Sequence, residues 1–297
     1  MLRLRPWLSV RLRLQLPLAL ASVEDGLEPK LATAIVQAEG ASPSRWIYMM
    51  HGSFGAGRNW SSVARRLVRD RPEWGALLID LRQHGASRGF PAPHTMAAAA
   101  EDVARLADAG EPEPAAVLGH SLGGKVALAF ARMEAPSLEQ VWVIDSTPAA
   151  RQPGGSAWGM LGVIRSLPDV FPDRDSMTDQ LVSRGVERPV AQWMATNLEG
   201  DENGYRWRFD VEAIEQMLVD FFETDFWSVV EDPPTNVQVH LVKAEESSVL
   251  SGDDLERAER ATKSGRTFVH RVSGGHWVNA DNPGALHDLL AGELPST

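Results

Sequence analysis

The sequence predicts an α/β protein whose mostly parallel central sheet is flanked by helices and broken by one helical insertion. Three features carry that reading. Short, continuous apolar runs recur, WIYMM at 46–50, ALLID at 76–80, AAVLG at 115–119 and VWVID at 141–145, the pattern of strands buried on both faces. Segments of helical apolar spacing separate them at 60–69, 96–109 and 122–133, and such alternation winds a parallel sheet with helices on both sides. After residue 145 the rhythm stops, and no buried strand is legible until VQVHLV at 237–242.

Taken in order, the first element is a half-exposed strand. Val10, Leu12, Leu14, Leu16 and Leu18 alternate with Arg11, Arg13, Gln15 and Pro17, a period of two. Four arginines, no acid before Glu24 and an Ala19-Leu20-Ala21 end are also features of a targeting peptide, but the apolar run is too interrupted for one. LATAIVQ at 31–37 is a second strand, and WIYMM runs into His51-Gly52. The middle block has helical stretches, Pro and Gly punctuation, and Trp158, Trp193, Trp207 and Trp227. The alternation then resumes with VQVHLV, a helix at 251–263, TFVHRV at 267–272 and a last helix at 283–290. The expected organisation is a core at 1–148, a helical cap insertion at 149–234 and the rest of the core at 235–297.

Composition narrows the chemistry. The 297 residues can bury a substantial core, and 43% hydrophobic with 23% charged residues is a globular balance. Forty acidic against 29 basic side chains give a formal charge of -11, which opposes generic attraction to nucleic acid or an anionic membrane. Cysteine is absent, removing disulfides, thiolate catalysis and Cys-based zinc sites. No stretch is long and apolar enough to span a bilayer, and the expected location is cytoplasmic.

VLGHSLGGKVAL at 117–128 reads in two ways. Gly119 with Gly124-Lys125 has the spacing of a phosphate-binding loop, whereas Gly119, Ser121 and Gly123 form G-x-S-x-G, the turn that exposes a nucleophilic serine. A phosphate loop needs Ser or Thr after its lysine to hold magnesium, and Val126 stands there. The serine elbow is the better reading. It aims the Leu122 backbone N–H, at a helix N-terminus, toward a developing oxyanion. A second donor is expected from the His51-Gly52-Ser53-Phe54-Gly55 turn, at Ser53 N–H with Phe54 as its neighbour.

A serine hydroxyl needs a base, and histidine suits neutral pH. Of eight histidines, His51 and His120 belong to the two turns, His240 and His270 to strands, His287 to the last helix, and His84 and His94 precede the elbow. Only His276, in SGGHWVNADNP, follows the last strand on a Gly-rich loop.

Together HGSFGAGRNW, DLRQHGAS, GHSLGGK, VIDSTP and GGHWVNADNP resemble the α/β-hydrolase superfamily, most closely its small bacterial carboxylesterases and mitochondrial abhydrolase relatives. TNLEGDENGYRWRFDVEAI resembles the cap of those enzymes, so the likeness covers nearly all of the chain after about residue 30. It implies the α/β-hydrolase fold and cofactor-free, metal-free hydrolysis of small acyl esters or thioesters through an acyl-enzyme, with Ser121 attacking, His276 moving the proton and Ser53 with Leu122 holding the oxyanion. The third member departs from the commonest pattern, because Ser247 stands where the acid usually sits. Glu245 and Glu246 are adjacent, and the likeness to small esterases implies instead that Asp145 supplies the carboxylate, with Ser247 adding a hydrogen bond. A lyase or carbon–carbon hydrolase on the same scaffold, or a silent hydrolase-like binding protein, are the alternatives, and the oligomeric state is not legible.

Overall fold

A computed structural model describes residues 10–15, 29–133 and 135–296. The targeting features at either side of the first strand lie outside the described residues. Among the described residues the central sheet has eight strands, in the order β1-β2-β4-β3-β5-β6-β9-β10. They are β1 (Val10–Gln15), β2 (Thr33–Ala38), β3 (Arg45–Met50), β4 (Trp74–Ile79), β5 (Ala116–His120), β6 (Gln140–Ile144), β9 (Gln238–Ala244) and β10 (Thr267–Val272). From β4 across to β10 all neighbours are parallel, while β2 is antiparallel to both β1 and β4.

The continuous apolar runs make sense because the sheet is covered on both faces. Successive side chains point to opposite sides. Thus Tyr48, Met50, Leu77, Ile79, Val117, Val141 and Val143 join one buried cluster, and Ile47, Met49, Ala76, Leu78, Leu118, Trp142 and Ile144 join the other. Helices α1 (Ser61–Asp70) and α11 (Pro283–Glu293) cover the second cluster. In α1 the buried Val63, Ala64, Leu67 and Val68 form the stripe facing the sheet, with Arg65, Arg66, Arg69 and Asp70 outward. Helices α2 (Met96–Asp108), α3 (Leu122–Ala131) and α9 (Asp253–Ala261) lie on the first face, and Thr95 caps α2 by accepting the Ala98 N–H at 3.1 Å. Short α10 (Val278–Asp281) leads into α11.

Between β6 and β9 the chain leaves the sheet and forms α4 (Gly155–Arg165), α5 (Arg174–Ser183), α6 (Arg188–Ala195), a hairpin of β7 (Leu198–Asp201) and β8 (Gly204–Trp207), α7 (Val211–Glu223) and α8 (Trp227–Glu231). The hairpin adds strands to a block read from sequence as helical. Its strands are four residues long and only Leu198 among them is buried, so they carry no apolar run to read. The block shares its core with the sheet, since Leu161, Ile164, Met194, Ile214 and Met217 belong to the same cluster as Val117 and Val126. All ten residues of α3 are consequently buried. Among the described residues no helix is long and apolar enough to cross a membrane.

Candidate active site

Ser121 sits between β5 and α3 with φ 52° and ψ -115°, a conformation that non-glycine residues rarely adopt. The surrounding glycines permit it. A Cβ on Gly119 would lie 1.9 Å from the Gly123 carbonyl oxygen, and one on Gly123 would lie 2.5 Å from the His51 carbonyl oxygen. The turn is held by the Ser121 N–H donating to the Ile144 carbonyl at 3.0 Å and the Gly124 N–H donating to the Ser121 carbonyl at 2.9 Å. Lys125 does not face an anion. It is buried, and its ammonium donates to the carbonyls of Ala149 at 2.8 Å, Thr224 at 2.6 Å and Phe221, tying α3 to the end of α7. Burial pushes its pKa down to about 8.

His276 and Asp145 meet. The His276 Nδ1–H donates to Asp145 Oδ2 at 2.7 Å, and Asp145 Oδ1 accepts the Ala244 N–H at 3.2 Å. The carboxylate is 0% exposed and the imidazole 18%. Asp145 has φ 40°, in the left-handed region that Asp and Asn tolerate best after glycine. His120 packs its ring 4.7 Å from that of His276 and donates from Nε2 to the His276 carbonyl at 2.7 Å. Burial, helped by the neighbouring His276, pushes the His120 pKa to about 3, so it remains a neutral donor. Glu245 and Glu246 are exposed, and the described hydrogen bonds of the His276 ring involve neither. The Ser247 hydroxyl accepts the Val249 N–H at 3.2 Å, so its expected hydrogen bond goes to its own loop.

The turn that carries Ser53 lies against the elbow, for a Cβ on Gly52 would be 3.1 Å from Ser121 Cβ. Its Gly52 carbonyl accepts the Gly55 N–H at 3.0 Å and the His51 Nδ1–H at 2.7 Å. His51 Nε2 in turn accepts the Leu81 N–H at 2.9 Å, and burial pushes the His51 pKa down to about 4. Phe54 completes the turn at φ 60°. Leu122 is the first residue of α3, where backbone N–H groups lack intrahelical partners.

Ser53, Ser121 and His276 line one cavity of about 100 Å³. Its other walls include Met160 of α4, Val190 and Trp193 of α6, and Trp277. Trp193 and Trp277 both line it and pack with ring centroids 4.6 Å apart. Of the four tryptophans of the middle block, Trp193 alone lines the cavity. Trp227 is buried in the core, Trp158 packs on Phe222, and Trp207 packs on Phe209 and Phe171. Met160 and Val190 were missed because nothing separates them from ordinary core residues of an amphipathic helix.

A parallel sheet with a strained serine turn at a strand end, followed by a late-loop histidine, defines the α/β-hydrolase class. The comparisons agree. The model of the alpha/beta hydrolase family matches residues 47–289, and the chain belongs to that family and is an enzyme of the hydrolase type. It is 29% identical over 265 residues to the sn-1-specific diacylglycerol lipase ABHD11 of Xenopus tropicalis, covering 85% of this chain and 77% of that protein. Esterase YbfF of Escherichia coli (strain K12) is 24% identical over 252 residues, covering 81% and 89% respectively. The solved structure of a marine microorganism esterase has the same fold, with a TM-score of 0.76 at 23% identity over 90% of this chain and 100% of that one.

Proposed function

We propose that the protein is a serine hydrolase that cleaves carboxylic esters or thioesters of small, neutral acyl groups through an acyl-enzyme. The observation that supports it most is the Asp145–His276 pair at 2.7 Å, with His276 lining the same cavity as Ser121. Ser121 Oγ attacks the acyl carbon while His276 Nε2 takes its proton. The oxyanion forms against the backbone N–H groups of Ser53 and Leu122. Collapse breaks the bond to the leaving alkoxide or thiolate, which takes the proton from His276. Water then repeats the sequence on the acyl-enzyme and releases the acid. Asp145 orients the imidazole and offsets its charge.

Residues 149–234 act in this reading as a cap that walls the acyl site. Among the described residues no Lys, Arg, Asp or Glu lines the cavity, which favours an uncharged, apolar acyl group. Relatives named as esterases and lipases support the same class of bond. The test is a screen of p-nitrophenyl and coenzyme A esters of graded acyl length, with fluorophosphonate labelling in parallel. Turnover of short neutral esters and labelling that vanishes in Ser121→Ala are expected. Labelling of Ser121 without turnover of any ester would turn the reading toward a silent binding protein.

A further inference from the structure

We infer that Asn197, contributed by the segment between β6 and β9, is a positioning residue for the oxyanion turn: its side-chain amide holds the Phe54 carbonyl and so fixes the direction of the Ser53 N–H. The inference rests on the esterase reading above. It begins from the turn itself, Gly52-Ser53-Phe54-Gly55. A peptide unit is planar, so a donor N–H and the preceding carbonyl point in opposite directions and move together. Holding the Gly52 carbonyl therefore aims the Ser53 N–H, and that carbonyl is held by the His51 Nδ1–H at 2.7 Å and the Gly55 N–H at 3.0 Å.

The other end of the turn has a different problem. Phe54 is at φ 60°, a left-handed conformation that an aromatic residue keeps only when its surroundings enforce it. Among the described residues no group of the core donates to its carbonyl. The partner comes from the insertion, where Asn197 Nδ2 donates to the Phe54 carbonyl at 2.7 Å in a buried contact. The Phe54 ring meets Phe209, also from the insertion, at 5.4 Å. With both outer peptides of the turn anchored, only the Ser53–Phe54 peptide between them is left, and its rotation is suppressed.

Asn197 is itself well placed to bear this role. It is 5% exposed, and its carbonyl accepts the Arg208 N–H at 2.8 Å at the base of the β7–β8 hairpin. Its neighbours bind the core from outside: Arg58 Nη2 donates to the Thr196 hydroxyl at 2.9 Å, and Arg88 pairs with Glu199 at 2.6 Å. Those contacts are exposed and contribute little, so the buried amide is the one that fixes the turn. Docking of the insertion and completion of the oxyanion site are thereby one event.

The test compares Asn197→Asp and Asn197→Leu, which keep the size and lose the donor, with Asn197→Ser, which is smaller. Kinetics on p-nitrophenyl butyrate, inhibition by butylboronic acid and Tm are measured for each. Expected is a fall in kcat of roughly 10- to 100-fold with KM within about threefold, and a parallel loss of boronic acid affinity, because the boronate oxygen occupies the oxyanion position. Product butyrate inhibition stays unchanged, and Arg88→Ala, which loosens the same segment from outside, leaves kcat within about twofold. Wild-type kcat and boronic acid affinity in the Asn197 variants would overturn the inference, as would a raised KM with kcat intact. Loss of fold in all three variants would also overturn it, leaving Asn197 a structural residue. Ser121→Ala separates the two levels: if it retains turnover, the esterase reading fails, and if it is inactive while Asn197 variants are normal, only this inference fails.

Discussion

The sheet and the segment between β6 and β9 share one apolar cluster but are organised by different forces. In the sheet, backbone ladders and backbone crowding set the geometry: Gly119 and Gly123 have no room for a Cβ, and the neighbouring Ser121 is held at φ 52° by the turn around it. The insertion is fastened by side chains reaching backbone carbonyls, Lys125 to Ala149, Phe221 and Thr224, Arg132 to Asp225 and Asn197 to Phe54. The proposed reacting groups all belong to the first region. The second contributes walls and supports, which single substitutions can alter without rebuilding the turn that presents the serine.

The largest expected effects are therefore in the sheet region and on chemistry alone. Ser121→Ala should lower kcat/KM for a short ester by about 10⁵-fold or more with an unchanged melting curve. Residual hydrolysis near the wild-type rate in a pure sample would exclude a serine nucleophile. Asp145→Asn should cost about 10³- to 10⁴-fold, because it removes the charge beside the imidazole and disturbs its tautomer. Asparagine accepts the φ of 40°, so the fold should survive. The same experiment on Glu246→Gln is expected to give near-normal turnover, and the reverse pattern would move the acid to that loop.

Acid sensitivity sharpens the comparison. The buried histidines are confined to the sheet region, and 149–234 contains none. Burial lowers the pKa of His51 to about 4 and those of His84, His120 and His240 to about 3. Their folded values lie below the unfolded one, so the unfolded chain takes up protons first as pH falls. Stability is thus full above about pH 6.5 and is lost progressively below it, by about 1 kcal/mol per histidine at pH 5.5. Urea midpoints at pH 7.5 and 5.5 check this. His240, stacked 4.1 Å from Trp142 and 3.0 Å from His270, is the one to replace: His240→Leu should flatten the slope, and an unchanged slope would assign the protons elsewhere.

A smaller effect is expected on the insertion side. Met160→Ala removes side-chain volume from the cavity wall, and should shift the ratio of kcat/KM between octanoyl and acetyl esters by about 10-fold toward the longer chain. Equal ratios in wild type and variant would mean that α4 does not limit the acyl group.

What was legible in the sequence follows the same divide. The strands, the elbow and His276 could be read because continuous apolar runs, crowded glycines and loop position leave local traces. Asp145 could not be chosen over Glu245 and Glu246 without a resemblance, since its contact joins residues 131 apart in sequence. The Asn197 contact spans 143 residues and ends on a backbone carbonyl, which any residue type supplies. The β7–β8 hairpin was hidden by its half-exposed strands, although Asn203 lies in its turn and Gly204 opens β8.

The smallest prediction tests whether crowding really separates the two regions. Gly159 and Gly162 lie within α4, on the exposed side, and an added Cβ at either meets nothing within 4 Å. This is the opposite of Gly123, where the His51 carbonyl stands 2.5 Å away. Neither α4 glycine has a positive φ, so alanine fits the helix without strain and reduces the freedom of the unfolded chain. Gly162→Ala should then raise stability by about 0.5–1 kcal/mol, read from the urea midpoint at constant slope, and leave kcat on short esters unchanged. A destabilised Gly162→Ala would show that α4 must bend or move at this position, and that the insertion is held less rigidly than its contacts with the core suggest.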